Sequence, residues 1–72
     1  MDQEQQRERA GLISRLFALI TMKLEDAAGI AADCQGQLPL EELRESAEKL
    51  DALISEAATV LAGAAAVLTE DR

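Results

Sequence analysis

Gly36-Gln37-Leu38-Pro39 decides the fold, because nowhere else in these 72 residues does the sequence carry a signal strong enough to stop a helix. Gly36 suits the left-handed residue just past a helix C-terminus. Pro39, with its preset φ and missing N–H, suits the first turn of a following helix. Glu41 and Glu42 then lie against the positive dipole end of that second helix. The N-cap falls to Leu38 or Gln37, both poor capping residues, so that boundary is loosely specified. Reading outward, the chain divides into two near-equal halves: a helix over 3–35, a turn at 36–38 and a helix over 39–69, forming one domain over 1–72.

Periodicity supports the same division. Before the turn, Ala10, Ile13, Phe17, Ile20, Leu24, Ala27, Ala31, Cys34 and Leu38 occupy alternating a and d heptad positions. After it, Leu40, Leu43, Ala47, Leu50, Ile54, Ala57, Leu61, Ala64 and Leu68 do the same. No polar residue interrupts either series. Two helices of about 30 residues would each be about 45 Å long, and so short a turn makes them antiparallel neighbours. The a/d rows are read as the hairpin seam. Bulky residues of the 12–20 segment would then face small residues of the 57–66 segment, with Phe17 near Ala57, Ala58 and Leu61.

Composition narrows the function by exclusion. The chain has no His, Trp or Tyr and one Cys. An imidazole base, a His-ligated metal, an aromatic stacking platform and an intrachain disulfide are therefore absent. Gly11, Gly29, Gly36 and Gly63 stand isolated, without a phosphate-cradling pattern. Fourteen acids against seven bases give a net charge of −7, which opposes nucleic-acid binding. Residues 1–25 are balanced at four acids and four bases, and 26–72 hold ten acids and three bases. The Leu12–Met22 stretch is broken by Arg15 and is not read as a secretory signal. The longest uncharged run, Ala57–Thr69, spans 13 residues, short of the roughly 20 that cross a bilayer. A cytoplasmic protein is expected, and the abundance of Ala and the excess of Arg over Lys lean towards a bacterial one.

A second apolar stripe points to a partner. Leu16, Ile30, Leu53, Val60 and Val67 fall at g positions, while Leu12 and Leu19 at c widen the apolar surface of the first helix. Leaving such side chains in water forfeits about 1.5–3 kcal/mol each, comparable to the whole stability of a small domain. A chain of this size without disulfides or metal needs another chain to complete its core. The simplest completion is a homodimer in which two hairpins form a four-helix bundle. Its interface is read as Leu12, Ile13, Leu16, Phe17, Leu19, Ile20, Ile30, Leu53, Val60 and Val67. A different protein presenting an amphipathic helix is the rival occupant.

Individual candidates for chemistry give way to simpler accounts. Cys34 sits at d with no Lys, Arg or His in the nearest helical turn, so it reads as a small core residue. If the hairpins pair with turns at opposite ends, a lean the sequence allows, the two copies of Cys34 lie tens of Å apart. Glu41, Glu42, Glu45 and Glu48 fall outside the a/d seam and read as a solvated face rather than metal ligands. Arg7, Arg9, Arg15 and Lys23 flank the most apolar segment and could meet an anionic membrane, but Glu4, Glu8 and Glu25 neutralise them. Met22 and Gly29 at f hint at a contact or a bend beyond the seam.

A hairpin with uninterrupted a/d layers resembles in shape the Rop type of plasmid copy-number regulators and the small hairpin cochaperones of type III secretion. The resemblance carries no residue motif. RNA binding in the first uses a basic outward face from which this acidic chain departs. The sequence thus predicts an all-α antiparallel two-helix hairpin that dimerises into a four-helix bundle. It would be a non-catalytic protein with no cofactor or metal, acting through helix–helix contact as an adaptor, regulator or cochaperone. The alternative is a peripheral membrane-associated or structural bundle protein.

Overall fold

A computed structural model describes residues 3–70 and contains two helices, α1 (Gln3–Asp33) and α2 (Leu40–Glu70), with no strand among the described residues. Each helix has 31 residues. Ala, Leu and Glu are common in both, with Gln and Arg added in α1, and these residues lose little side-chain freedom in a helix. Glu4 stands in the first turn of α1, and Glu41 and Glu42 in that of α2, where carboxylates stabilise the positive dipole end. The helices run antiparallel as a hairpin 57 Å long and 15 × 12 Å across.

The turn is built differently from the sequence expectation. Neither helix has a basic residue in its last turn, so α1 ends by tightening rather than by charge. Cys34 N donates to the Ile30 and Ala31 carbonyls at 3.1 and 3.3 Å, and Gln35 N donates to Ala32 O at 3.3 Å. The bonds to Ala31 and Ala32 are i→i−3, and with the last i→i−4 bond to Ile30 they satisfy these terminal carbonyls without a left-handed residue. Gly36 accordingly lacks the positive φ expected of it, and no described residue has one. Leu43 N donates to Pro39 O at 3.1 Å, which makes Pro39 the N-cap and Leu40 the first helical residue. The connection therefore runs over 34–39, long enough to reverse the chain gradually.

The seam itself lies one row round from the a/d expectation. Ile13, Ala27, Ala57 and Ala64 are buried, all at d. The next most covered positions are the remaining d residues Ile20, Cys34, Leu43 and Leu50, together with the g row. That row comprises Arg9, Leu16, Lys23 and Ile30 on α1 and Ser46, Leu53, Val60 and Val67 on α2. The a row, by contrast, is exposed along both helices. A pair of helices touches along one narrow strip, so only two adjacent rows of each can enter the contact. Here those rows are d and g.

Size complementarity survives the rotation. In the antiparallel register, Ile13 stands about level with Ala64, Ile20 with Ala57, and Ala27 with Leu50. Each layer pairs a large residue with a small one, which brings the helices close without a void. No polar side chain is buried among the described residues, and no buried side-chain nitrogen or oxygen lacks a partner.

Candidate helix-docking face

The rotation of the seam leaves two unlike long faces. The front face carries the a and e rows of both helices. Its floor is the d row, and its walls are Phe17, Leu24, Ile54 and Leu61, which remain 47–53% exposed. Ile20, Thr21, Ala57 and Ala58 complete this central groove. Towards the open end the groove continues past Ala10, Ile13, Ser14 and Leu68, with Gln6 and Arg9 at its rim. Between Ala10 and Leu24 on α1, and between Ile54 and Leu68 on α2, no a, d or e position carries a charge. Thr21 is polar in name only here, because its hydroxyl donates to Phe17 O at 3.0 Å within its own helix.

The back face carries the c and g rows and is charged across its middle. Lys23 Nζ lies 3.4 Å from Glu56 Oε2, a pair whose side chains are 25% and 52% exposed. An ion pair that wet contributes about 0–1 kcal/mol, so it sets register more than stability. Glu42, Lys49 and Asp26 extend the polar character along the c row. Leu12 and Leu19 interrupt it as exposed apolar residues on α1, opposite the c-row Gly63 of α2.

The residues singled out in the sequence are thus divided between places. Ile13 is buried and Ile20 half-buried in the floor shared by seam and groove. Leu16, Ile30, Leu53, Val60 and Val67 are half-buried as the g half of the hairpin's own seam. Phe17 is a wall of the front groove, beside Ala57, Ala58 and Leu61 as expected, yet it is not covered by them. Leu12 and Leu19 lie on the back. Leu24, Ile54, Leu61 and Leu68, assigned to the hairpin seam by periodicity, are exposed on the front face. The signal that could have found them is the d row, which can pair with either flank and so leaves one flank open.

The remaining candidates stay apart. Cys34 is half-buried near the turn. Among the described residues no group of three Asp, Glu or Cys side chains converges enough to hold a metal ion. Of the acidic run that opens α2, Glu41 pairs with Arg44 at 3.4 Å on a surface where both are about two-thirds exposed or more. Met22 is 61% exposed. A Cβ added at Gly11, Gly29, Gly36 or Gly63 would meet nothing within 4 Å, so none of these glycines marks a close approach inside the hairpin. By length and composition, α2 is also apolar enough to cross a membrane, which the count of consecutive uncharged residues did not reveal. Glu56 interrupts the run without making the helix polar overall.

The chain matches no protein family model, no curated protein and no solved structure. The front face must be interpreted from its own chemistry.

Proposed function

We propose that the protein is a non-catalytic helix–helix interaction module whose front face receives a second copy of the chain. The result is a homodimeric four-helix bundle that serves as an adaptor, regulator or cochaperone-like scaffold. The observation that carries this reading is the uncharged groove walled by Phe17, Leu24, Ile54 and Leu61. Apolar residues recurring at every a position are what a second layer of helices needs in order to form a common core.

Area supports it. The hairpin exposes 5632 Å², whereas a compact monomer of 7.7 kDa exposes about 4300 Å². By the same scaling, joining two hairpins buries at most about 4000 Å² in total, less in a bundle that keeps the 57 Å length of the hairpin. That ceiling lies within the range of about 2000–5000 Å² typical of obligate homodimers.

The test is the native mass by sedimentation equilibrium across a dilution series. A mass twice 7.7 kDa with high helicity supports the bundle. A poorly helical monomer refutes self-association and assigns the missing layer to an amphipathic helix of another protein.

A second reading rests on α2, which has the length and apolar character of a membrane-crossing helix, and on Arg7, Arg9 and Arg15 of α1. It makes the chain a membrane-associated bundle, and salt-dependent co-sedimentation with anionic vesicles is its test.

A further inference from the structure

We infer that the second copy docks on the front face with its turn at the opposite end, so that α1 lies across the partner's α1 and α2 across the partner's α2. The inference rests on the homodimer proposed above and specifies its geometry. Face-to-face twofold packing of two hairpins allows two arrangements. In one the axis runs along the helices, the turns share an end, and α1 covers α2 of the other copy. In the other the axis crosses the helices and the turns lie at opposite ends. Two independent features of the chain favour the second.

The first is charge. Among the described residues the turn half of the hairpin, 23–51, carries eight acids and three bases. The open half, 3–22 with 52–70, carries four acids and three bases. Turns at one end bring the two strongly acidic halves together. Turns at opposite ends place each acidic half against a nearly neutral one. Salt screens this repulsion between like-charged halves over about 8 Å at physiological ionic strength, so the preference is strongest at low salt.

The second is volume. Along the front face the a-row layers that overlap in either arrangement read, from the open end, Ala10 with Leu68, Phe17 with Leu61, Leu24 with Ile54, and Ala31 with Ala47. Leu38 and the 76% exposed Leu40 form a further layer at the turn, which lies outside the overlap when the turns are at opposite ends. With turns at one end each layer meets its own copy. One layer then consists of four alanines and another of two Phe and two Leu, an underfilled layer and a crowded one in the same core. With turns at opposite ends the thin alanine layer meets the Ala/Leu layer, and the Phe/Leu layer meets Leu/Ile. The two outer layers become equal to each other, as do the two inner ones, which is the even filling that core packing demands. The central groove is already centred for this, since its lining runs from Phe17 to Leu24 and from Ile54 to Leu61. A crossing axis therefore passes beside Thr21 on α1 and Ala58 on α2, at the middle of the groove.

Two single-cysteine variants separate the alternatives. In a Cys34→Ser background, Thr21→Cys and Ala58→Cys are made separately, each near the size of the residue replaced, and their mass is measured before oxidation. The chains are then oxidised alone and as an unfolded and refolded mixture. With turns at opposite ends each variant disulfide-links to its own copy in high yield and mixed pairs are rare, because position 21 faces position 21 and position 58 faces position 58. A dimer that links only in the mixture overturns the proposed orientation and leaves the homodimer standing. A dimer that links in no combination overturns the front face as the interface. A monomer by mass overturns the homodimer reading itself.

Discussion

The front and back faces of the hairpin flank the same seam, and their difference separates what folds the chain from what the chain presents. On the back, Lys23 and Glu56 meet across the helices, and Glu42, Lys49 and Asp26 keep the c row polar, so water can remain there. On the front, the a row runs through Phe17, Leu24, Ile54, Leu61 and Leu68. Between Ala10 and Leu24 on α1, and between Ile54 and Leu68 on α2, no charge stands at a, d or e, and Asp51 one turn before Ile54 marks the limit. The d row beneath belongs to both, since Ile13, Ile20 and Ala57 pack in the seam and also floor the groove. A hairpin that needed only to close on itself would gain from polar residues on both flanks. An uncharged flank is a surface with a use for its apolar area.

The sharpest way to break this distinction is to charge the seam and the front face separately. Ala64 is fully buried at d, so Ala64→Asp forces an unpaired carboxylate into the helix contact at a cost of about 3 kcal/mol or more. Circular dichroism should show loss of helicity at every protein concentration. Retained helicity would mean that the seam is not where Ala64 lies.

Leu61→Asp or Phe17→Asp, by contrast, alters side chains that the hairpin itself leaves about half exposed. Within the proposed dimer each substitution occurs twice, and a weakening of about 100-fold or more in association is expected. Sedimentation equilibrium should record a shift to monomer at concentrations where the parent chain is dimeric. An unchanged mass would remove the front face from the interface.

Smaller effects sharpen the comparison. Gly29→Ala adds a methyl group into open space at f, and should stabilise α1 by about 1 kcal/mol in thermal melts, with the mass unchanged. If it destabilises, something approaches Gly29 in the assembly that does not approach it in the hairpin. Glu56→Gln removes the back-face ion pair, and should change stability by less than about 1 kcal/mol, less still in high salt. A larger loss would mean that the back face is buried in the native assembly.

The hairpin was legible because its signals are local. Pro39 and Gly36 interrupt an otherwise unbroken supply of helix formers, and no similar break occurs elsewhere. The details of the turn were less legible. Gly36 invites a left-handed cap, but α1 satisfies its last carbonyls with bonds from Cys34 and Gln35, and the N-cap place expected of Leu38 or Gln37 falls to Pro39. Several backbone solutions satisfy the same few residues, and which one is adopted depends on how the two helices are held.

The seam was misread for a related reason. The a/d series contains no polar residue, whereas the d/g series includes Arg9, Lys23 and Ser46, so periodicity favours a/d. Arg and Lys can lay their alkyl stems along a contact and keep the charge in water, which makes their positions admissible at the edge of a two-helix seam. A clean apolar row therefore does not identify which row the other helix of the hairpin covers.

The sequence by itself determined two helices of nearly equal length, their antiparallel connection and a strongly acidic turn end. Each of these follows from residue types and spacing along one chain. Only the tertiary structure decided that d packs with g and leaves a exposed. A heptad pattern defines parallel rows on a helix, and the row that meets a neighbour depends on the rotation of both helices about their axes. That rotation is set by fitting Ile13, Ile20 and Ala27 against Ala64, Ala57 and Leu50, a fit between side chains far apart in sequence.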